Sequence, residues 1–133
     1  MRAHRDIAAA SPVREPLDAD VVALAADVLR QLGDATRFHL LGLLAEGPQD
    51  VTTLTARVTA SRSSVSQHLG RLRLAGLVGA RREGRRMVYG LTSDHVRRLV
   101  EETYAFAEHV GHRIPHHDAP TTTRSDGGTP GRA

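Results

Sequence analysis

Between Ser61 and Leu91 the apolar residues change their spacing once, and that change limits the possible fold more than any other feature of the chain. Val65, Leu69 and Leu72 recur at helical spacing; at about 100° per residue, Leu69 and Leu72 fall within about 40° of Val65. Gly76 ends the pattern. Two short extended runs follow, Val78 to Arg82 and Arg86 to Leu91, with Glu83-Gly84-Arg85 between them. Glycine supplies the turn, so the runs read as a hairpin fed directly by a helix.

The rest of the chain is helical in pattern. Asp18 opens a helix carrying Val21, Val22, Ala25, Val28, Leu29 and Leu32, ended by Gly33. Asp34 is placed to cap a second helix with Phe38, Leu40, Leu41 and Leu44, closed by Gly47-Pro48. A short third helix spans about 51–58, Thr59-Ala60-Ser61 forms a turn, and Ser61 caps a fourth helix that runs through Ala75. Thr92 or Ser93 caps a last helix over roughly 94–110. With 133 residues and 40% apolar content there is one core, and 3% aromatic content makes it one of Leu, Val and Ala. The order gives a mainly α fold with a small β-hairpin wing: a winged helix-turn-helix, with its helix-turn-helix at 51–75 and its wing at 78–91. Residues 1–16 read as a mobile arm, 17–110 as the domain, and 111–133 as a His-containing tail, disordered from about 119.

All 18 basic residues are arginine, and the net charge is only +3. Eight of them (57, 62, 71, 73, 81, 82, 85 and 86) lie between Arg57 and Arg86 beside one acid, Glu83. A basic middle on a near-neutral chain is the footprint of a nucleic-acid contact. On the fourth helix, Ser63, Gln67 and Gly70 lie opposite the apolar stripe, flanked by Ser66 and Arg71. Small polar residues, an amide and an arginine can lie in a major groove and reach base edges. Arg62 stands at the helix start, where a phosphate would lie. His68 falls about 60° from the apolar centre, at the core edge rather than among the base-reading side chains. Arg81, Arg82, Arg85 and Arg86 on the wing suit backbone or minor-groove contact. The predicted DNA contacts are therefore Arg62, Ser63, Ser64, Ser66, Gln67 and Arg71 on the helix, with the four wing arginines.

Four segments, taken in order, resemble the ArsR/SmtB family of bacterial repressors. Leu32-Gly33-Asp34-Ala35-Thr36-Arg37 is similar to the family's second-helix entry, and Ser61 through Leu69 (SRSSVSQHL) to its recognition helix. Leu72 through Val78 (LRLAGLV) is similar to the helix exit, and Arg82 through Tyr89 (REGRRMVY) to the wing. The resemblance covers about 20–110. It implies a homodimer through the first and last helices, bound as a repressor to double-stranded operator DNA and released by a metal ion.

The chain has no cysteine, which excludes disulfides and thiolate sites, and with them soft-metal sensing through sulfur. Imidazole and carboxylate remain. Five of the eight histidines (95, 109, 112, 116 and 117) crowd the C-terminal part. His95 and His109 share one helix face but lie about 21 Å apart along the axis, so one helix cannot bring both to one ion. Two antiparallel copies can, which predicts two equivalent sites bridging a dimer. The family's zinc-type helix site would fall on Ser93, His95, Phe106 and His109; only two of the four ligands are kept, and Phe106 cannot bind metal. The segments from Asp94 to Val100, Ala107-Glu108-His109 and Ile114-Pro115-His116-His117 instead resemble the nickel/cobalt-responsive repressors of actinobacteria. That resemblance implies His95, Glu108, His109, His116 and His117 as ligands, with Asp118 in the place of a second tail histidine. Five or six N/O donors suit octahedral nickel(II) or cobalt(II) as effector, and zinc(II) is the poorer match.

The competing readings are a zinc-responsive regulator, a metal-independent one, and a metal-storage protein that uses only the tail. An enzyme is not expected, since neither HExxH nor GxSxG occurs. The N-terminus lacks the apolar segment of a secretory signal, and no apolar run is long enough to span a bilayer. A cytoplasmic protein without a membrane partner is the expectation.

Overall fold

The computed structural model describes residues 7–10 and 15–112. The predicted tail ligands His116 and His117, with Asp118, lie outside the described residues. Within them the chain forms α1 (Ala19–Leu32), α2 (Ala35–Ala45), β1 (Gln49–Asp50), α3 (Val51–Arg57), α4 (Arg62–Leu74), β2 (Val78–Glu83), β3 (Arg86–Leu91) and α5 (Asp94–Gly111). This is the winged helix-turn-helix that the spacing predicts.

Each helix starts on a short polar side chain that takes up a free backbone N–H of its first turn. Asp18 accepts from Asp20 and Val21, Asp34 from Arg37, Asp50 from Thr53, Ser61 from Ser64 and Ser93 from Val96. Ser93, not Thr92, caps α5. The Thr92 hydroxyl instead donates to the carbonyls of Gly76 (2.8 Å) and Leu77 (3.2 Å), which ties the end of β3 to the exit of α4.

That exit is a Schellman turn. The Leu77 N–H donates to the Leu72 carbonyl and the Gly76 N–H to that of Arg73, both at 3.0 Å. Gly76 has φ +77°, a conformation that a side chain resists. Leu72 and Leu77 are both buried, so the same turn stops α4 and aims β2 back along the core. At the wing tip, Glu83 pairs with Arg86, leaving Gly84-Arg85 as a two-residue loop with Gly84 at φ +60°.

Two features of the sheet differ from the sequence reading. Glu83 belongs to β2 rather than to the turn, and the sheet has three strands, in the order β1-β3-β2. Gln49 and Asp50 pair antiparallel with Tyr89 and Val88. Two residues cannot show a period, so nothing in the sequence marks this strand.

The core is aliphatic. Leu40, Leu41 and Leu44 of α2, Leu54 of α3, and Val65, Leu69 and Leu72 of α4 are at most 1% exposed, and Val96 and Val100 bring α5 onto α2. Removing a fully enclosed leucine leaves a cavity the surroundings only partly refill, so Leu69→Ala costs about 3 kcal/mol. Urea unfolding at fixed protein concentration measures this, and a loss below about 1 kcal/mol would mean that α4 is not anchored by its stripe.

α1 is the exception. Only Leu32 of it is buried, while Val21, Leu24 and Leu29 are more than half exposed. Tyr104 and Phe106 of α5 are similarly open.

Candidate nucleic-acid interface and metal-ligating helix

Because Val65, Leu69 and Leu72 are held in the core, α4 turns its other side outward. Arg62, Ser63, Ser66, Gln67, Gly70 and Arg71 are all exposed, and Ser64 is half-buried beside its cap. His68 sits at the core edge, as its helical angle predicts, with 21% side-chain exposure. Arg62 reaches back to the Thr52 hydroxyl of α3 at 3.3 Å, which holds it over the start of the helix. The wing stands beside this surface, and all four of its predicted arginines are exposed.

The arginines are not equivalent, and this the sequence did not reveal. Arg81 pairs with Glu83 at 2.9 Å within β2, and Arg86 crosses to Asp50 at 3.2 Å. Arg57, part of the basic run, is held by Glu46 through two hydrogen bonds of 2.7 and 3.1 Å. Arg62, Arg71, Arg73, Arg82 and Arg85 have no carboxylate partner among the described residues. They are the cations of the run that no carboxylate offsets among the described residues.

The carboxylates of Asp50 and Glu46 are held in their ionised form. The Thr53 N–H on Asp50, helped by the Arg86 guanidinium, holds that carboxyl below its ordinary value. The hydrogen bond from Arg57 does the same for Glu46. At any pH above the usual carboxylate range, Arg86 and Arg57 therefore remain partly neutralised.

The metal candidates lie at the two ends of α5. His95 follows the capped first residue, and Glu108 and His109 are in the last turn; all three side chains are exposed. Among the described residues no three histidine or carboxylate side chains gather into one site. The 14-residue separation along one straight helix dictates this, at about 21 Å of rise. His112, at the end of α5, and His39 on α2 are also exposed. Among the described residues, no helix is long and apolar enough to cross a membrane.

Known proteins resemble the chain in sequence and fold. The profile of bacterial regulatory proteins of the arsR family matches residues 34–79, from the α2 cap to the start of β2. The HTH-type transcriptional regulator KmtR of Mycobacterium tuberculosis is 45% identical over 103 residues, covering 77% of this chain and 79% of that one. The regulator NmtR of the same organism is 38% identical over 95 residues, covering 71% and 79%. Both come from an actinobacterium, in keeping with the branch that the α5 and tail motifs resemble. Among solved structures, the homodimeric winged helix-turn-helix DNA-binding domain of a Mycobacterium bovis protein superposes with a TM-score of 0.65 at 30% identity, covering 75% of this chain and 93% of that one. HlyU of Vibrio cholerae superposes with a TM-score of 0.64, also at 30% identity, covering 67% and 97%. The chain belongs to the ArsR family of bacterial regulatory proteins, DNA-binding transcriptional regulators rather than enzymes.

Proposed function

We propose that this protein is a homodimeric transcriptional repressor, acting in the cytoplasm, that binds operator DNA without metal and leaves it when nickel(II) or cobalt(II) binds. The observation that carries the reading is the layout of α5. Exposed nitrogen and oxygen donors stand at both of its ends, and Tyr104 and Phe106 lie open between them. Together with the uncovered apolar face of α1, these aromatic rings favour a second copy of the chain. In an antiparallel pair of α5 helices, His95 of one copy approaches Glu108 and His109 of the other. His116 and His117 of the tail complete five N/O donors, and Asp118 can add a sixth. That set suits octahedral nickel or cobalt.

In the metal-free dimer the two α4 helices enter successive major grooves about one helical turn apart. Ser63, Ser66, Gln67 and Arg71 face the bases, with Ser64 beside them. Arg62, Arg82 and Arg85 hold phosphates, and Arg81 and Arg86 contribute the charge their carboxylate partners leave. Metal bound across the α5 pair favours a dimer geometry in which the α4 helices no longer match the grooves. The coupling required is about 1–3 kcal/mol. Residues 17–110 carry the DNA-binding and dimer functions, and 111–133 the remaining metal donors.

The test is a titration of nickel(II), cobalt(II) and zinc(II) into the purified protein, with operator affinity read at fixed salt. The reading expects a loss of tenfold or more, about 1.4 kcal/mol, with nickel or cobalt and not with zinc. A response to zinc alone identifies a reduced helix site instead. No response to any of the three makes the protein a metal-independent regulator.

A further inference from the structure

We propose that Arg37 and His68 form a joint through which α1 positions the recognition helix α4, so that His68 is a positioning residue and not a base-reading one. Three elements meet at this point. The Arg37 guanidinium donates from Nε to the Gln31 carbonyl at 2.8 Å and lies 3.5 Å from the Arg30 carbonyl. These are among the last carbonyls of α1, which carry the negative end of its dipole; that of Arg30 also accepts the Gly33 N–H at 3.3 Å. The same guanidinium reaches His68 Nδ1, on α4, at 3.5 Å. Asp34, the cap of α2, accepts the Arg37 N–H at 2.9 Å and stands 3.8 Å from the same His68 nitrogen.

The arrangement requires a forked cation. Only a guanidinium can donate along one edge to the carbonyls of α1 and along another to an acceptor on α4. To accept from Arg37, His68 Nδ1 must be unprotonated, with the ring proton on Nε2. His68 has exposed Gln67 on one side and buried Leu69 on the other. Displacing it therefore rotates the groove-facing strip about the core stripe. The side-chain oxygen of Gln31, the residue whose carbonyl takes the Arg37 Nε, is itself buried without a hydrogen-bond partner among the described residues. α1 is the helix whose apolar face is left open. A change in how that face is covered thus has a direct polar route to α4.

The joint rests on the reading that α4 meets operator DNA, but its first test needs no DNA. Amide hydrogen exchange is compared in the free full-length protein for the parent, His68→Leu and His68→Gln. Leucine fills the space without an acceptor, whereas glutamine keeps a neutral acceptor for Arg37. His68→Leu, on α4, is expected to speed exchange at Leu32 and Gly33, at the end of α1, by about tenfold, while His68→Gln stays close to the parent. Unchanged exchange there in His68→Leu overturns the joint, whatever the protein does with DNA. Equal acceleration in both variants also overturns it, since the acceptor would then be irrelevant. The second arm measures operator affinity and thermal midpoint. His68→Leu should bind about tenfold more weakly and His68→Gln within about threefold, at equal midpoints. A loss that follows the midpoint in both variants indicates packing alone and overturns the proposal. A parent protein that binds no operator overturns the DNA reading, while the exchange result still decides the joint.

Discussion

Replacing His95 and His109 together with alanine leaves operator affinity within about threefold of the parent and abolishes its response to nickel(II) and cobalt(II). Both side chains are exposed, and neither belongs to the buried core. Exposed substitutions of this kind change stability by about 0.5 kcal/mol or less, so the fold and the apo complex persist. The metal loses two of its imidazole donors, one at each end of α5. In an antiparallel pair, every site then loses a ligand from each copy. An octahedral ion left with a carboxylate and the tail donors is bound too loosely to set the geometry of the dimer. The readout is operator affinity with and without metal at one salt concentration. A double variant that still responds would move the regulatory site off α5. A double variant that fails to bind operator even without metal would place these histidines in the fold instead.

Much of the fold is legible in the residues, for local reasons. The Asp34 and Ser61 caps, the Gly76 stop and the Gly84 turn each act over two to five residues, so the sequence displays them directly. The Val65–Leu69–Leu72 stripe fixes which side of α4 faces outward, and from that the groove-facing strip follows. The features that were not legible depend on residues far apart in the chain. β1 is two residues long and exists because Asp50 lands beside Val88, 38 positions on. The basic run from Arg57 to Arg86 reads as uniform, yet Arg57 and Arg86 are engaged by Glu46 and Asp50, which lie outside it. Arg37 carries no signal of its own beyond its place in the second-helix entry motif. Its importance appears only when α1, α2 and α4 converge on it. The α1 pattern is helical and apolar, but it does not say which surface covers it, and Val21, Leu24 and Leu29 stay more than half exposed among the described residues.

The same distinction among arginines gives the second large effect. Replacing Arg82 and Arg85 together with alanine is expected to weaken operator binding by about 10- to 100-fold at low salt and to reduce the salt slope by about two. These two side chains have no carboxylate partner among the described residues, so each can neutralise a phosphate and release a full counterion. Arg81→Ala with Arg86→Ala is the control of equal nominal charge. There Glu83 and Asp50 already offset the guanidinium groups at 2.9 and 3.2 Å, and removing the cations leaves two carboxylates near the DNA. Two mechanisms then separate cleanly. If phosphate contact is what matters, the Arg82/Arg85 pair dominates the slope, whereas the Arg81/Arg86 pair lowers affinity mainly through the repulsion of the uncovered acids. Adding Glu83→Gln to the second pair should then restore part of its affinity without restoring the slope. If all four arginines act only as a diffuse positive field, the two pairs give equal slopes, and the wing contributes attraction without register. Measuring log K against log salt for the parent, the two pairs and the triple variant distinguishes these cases. A wing whose arginines can be removed in any combination without altering the slope would lie off the DNA altogether, leaving Arg62, Arg71 and Arg73 of α4 to carry the electrostatic contact.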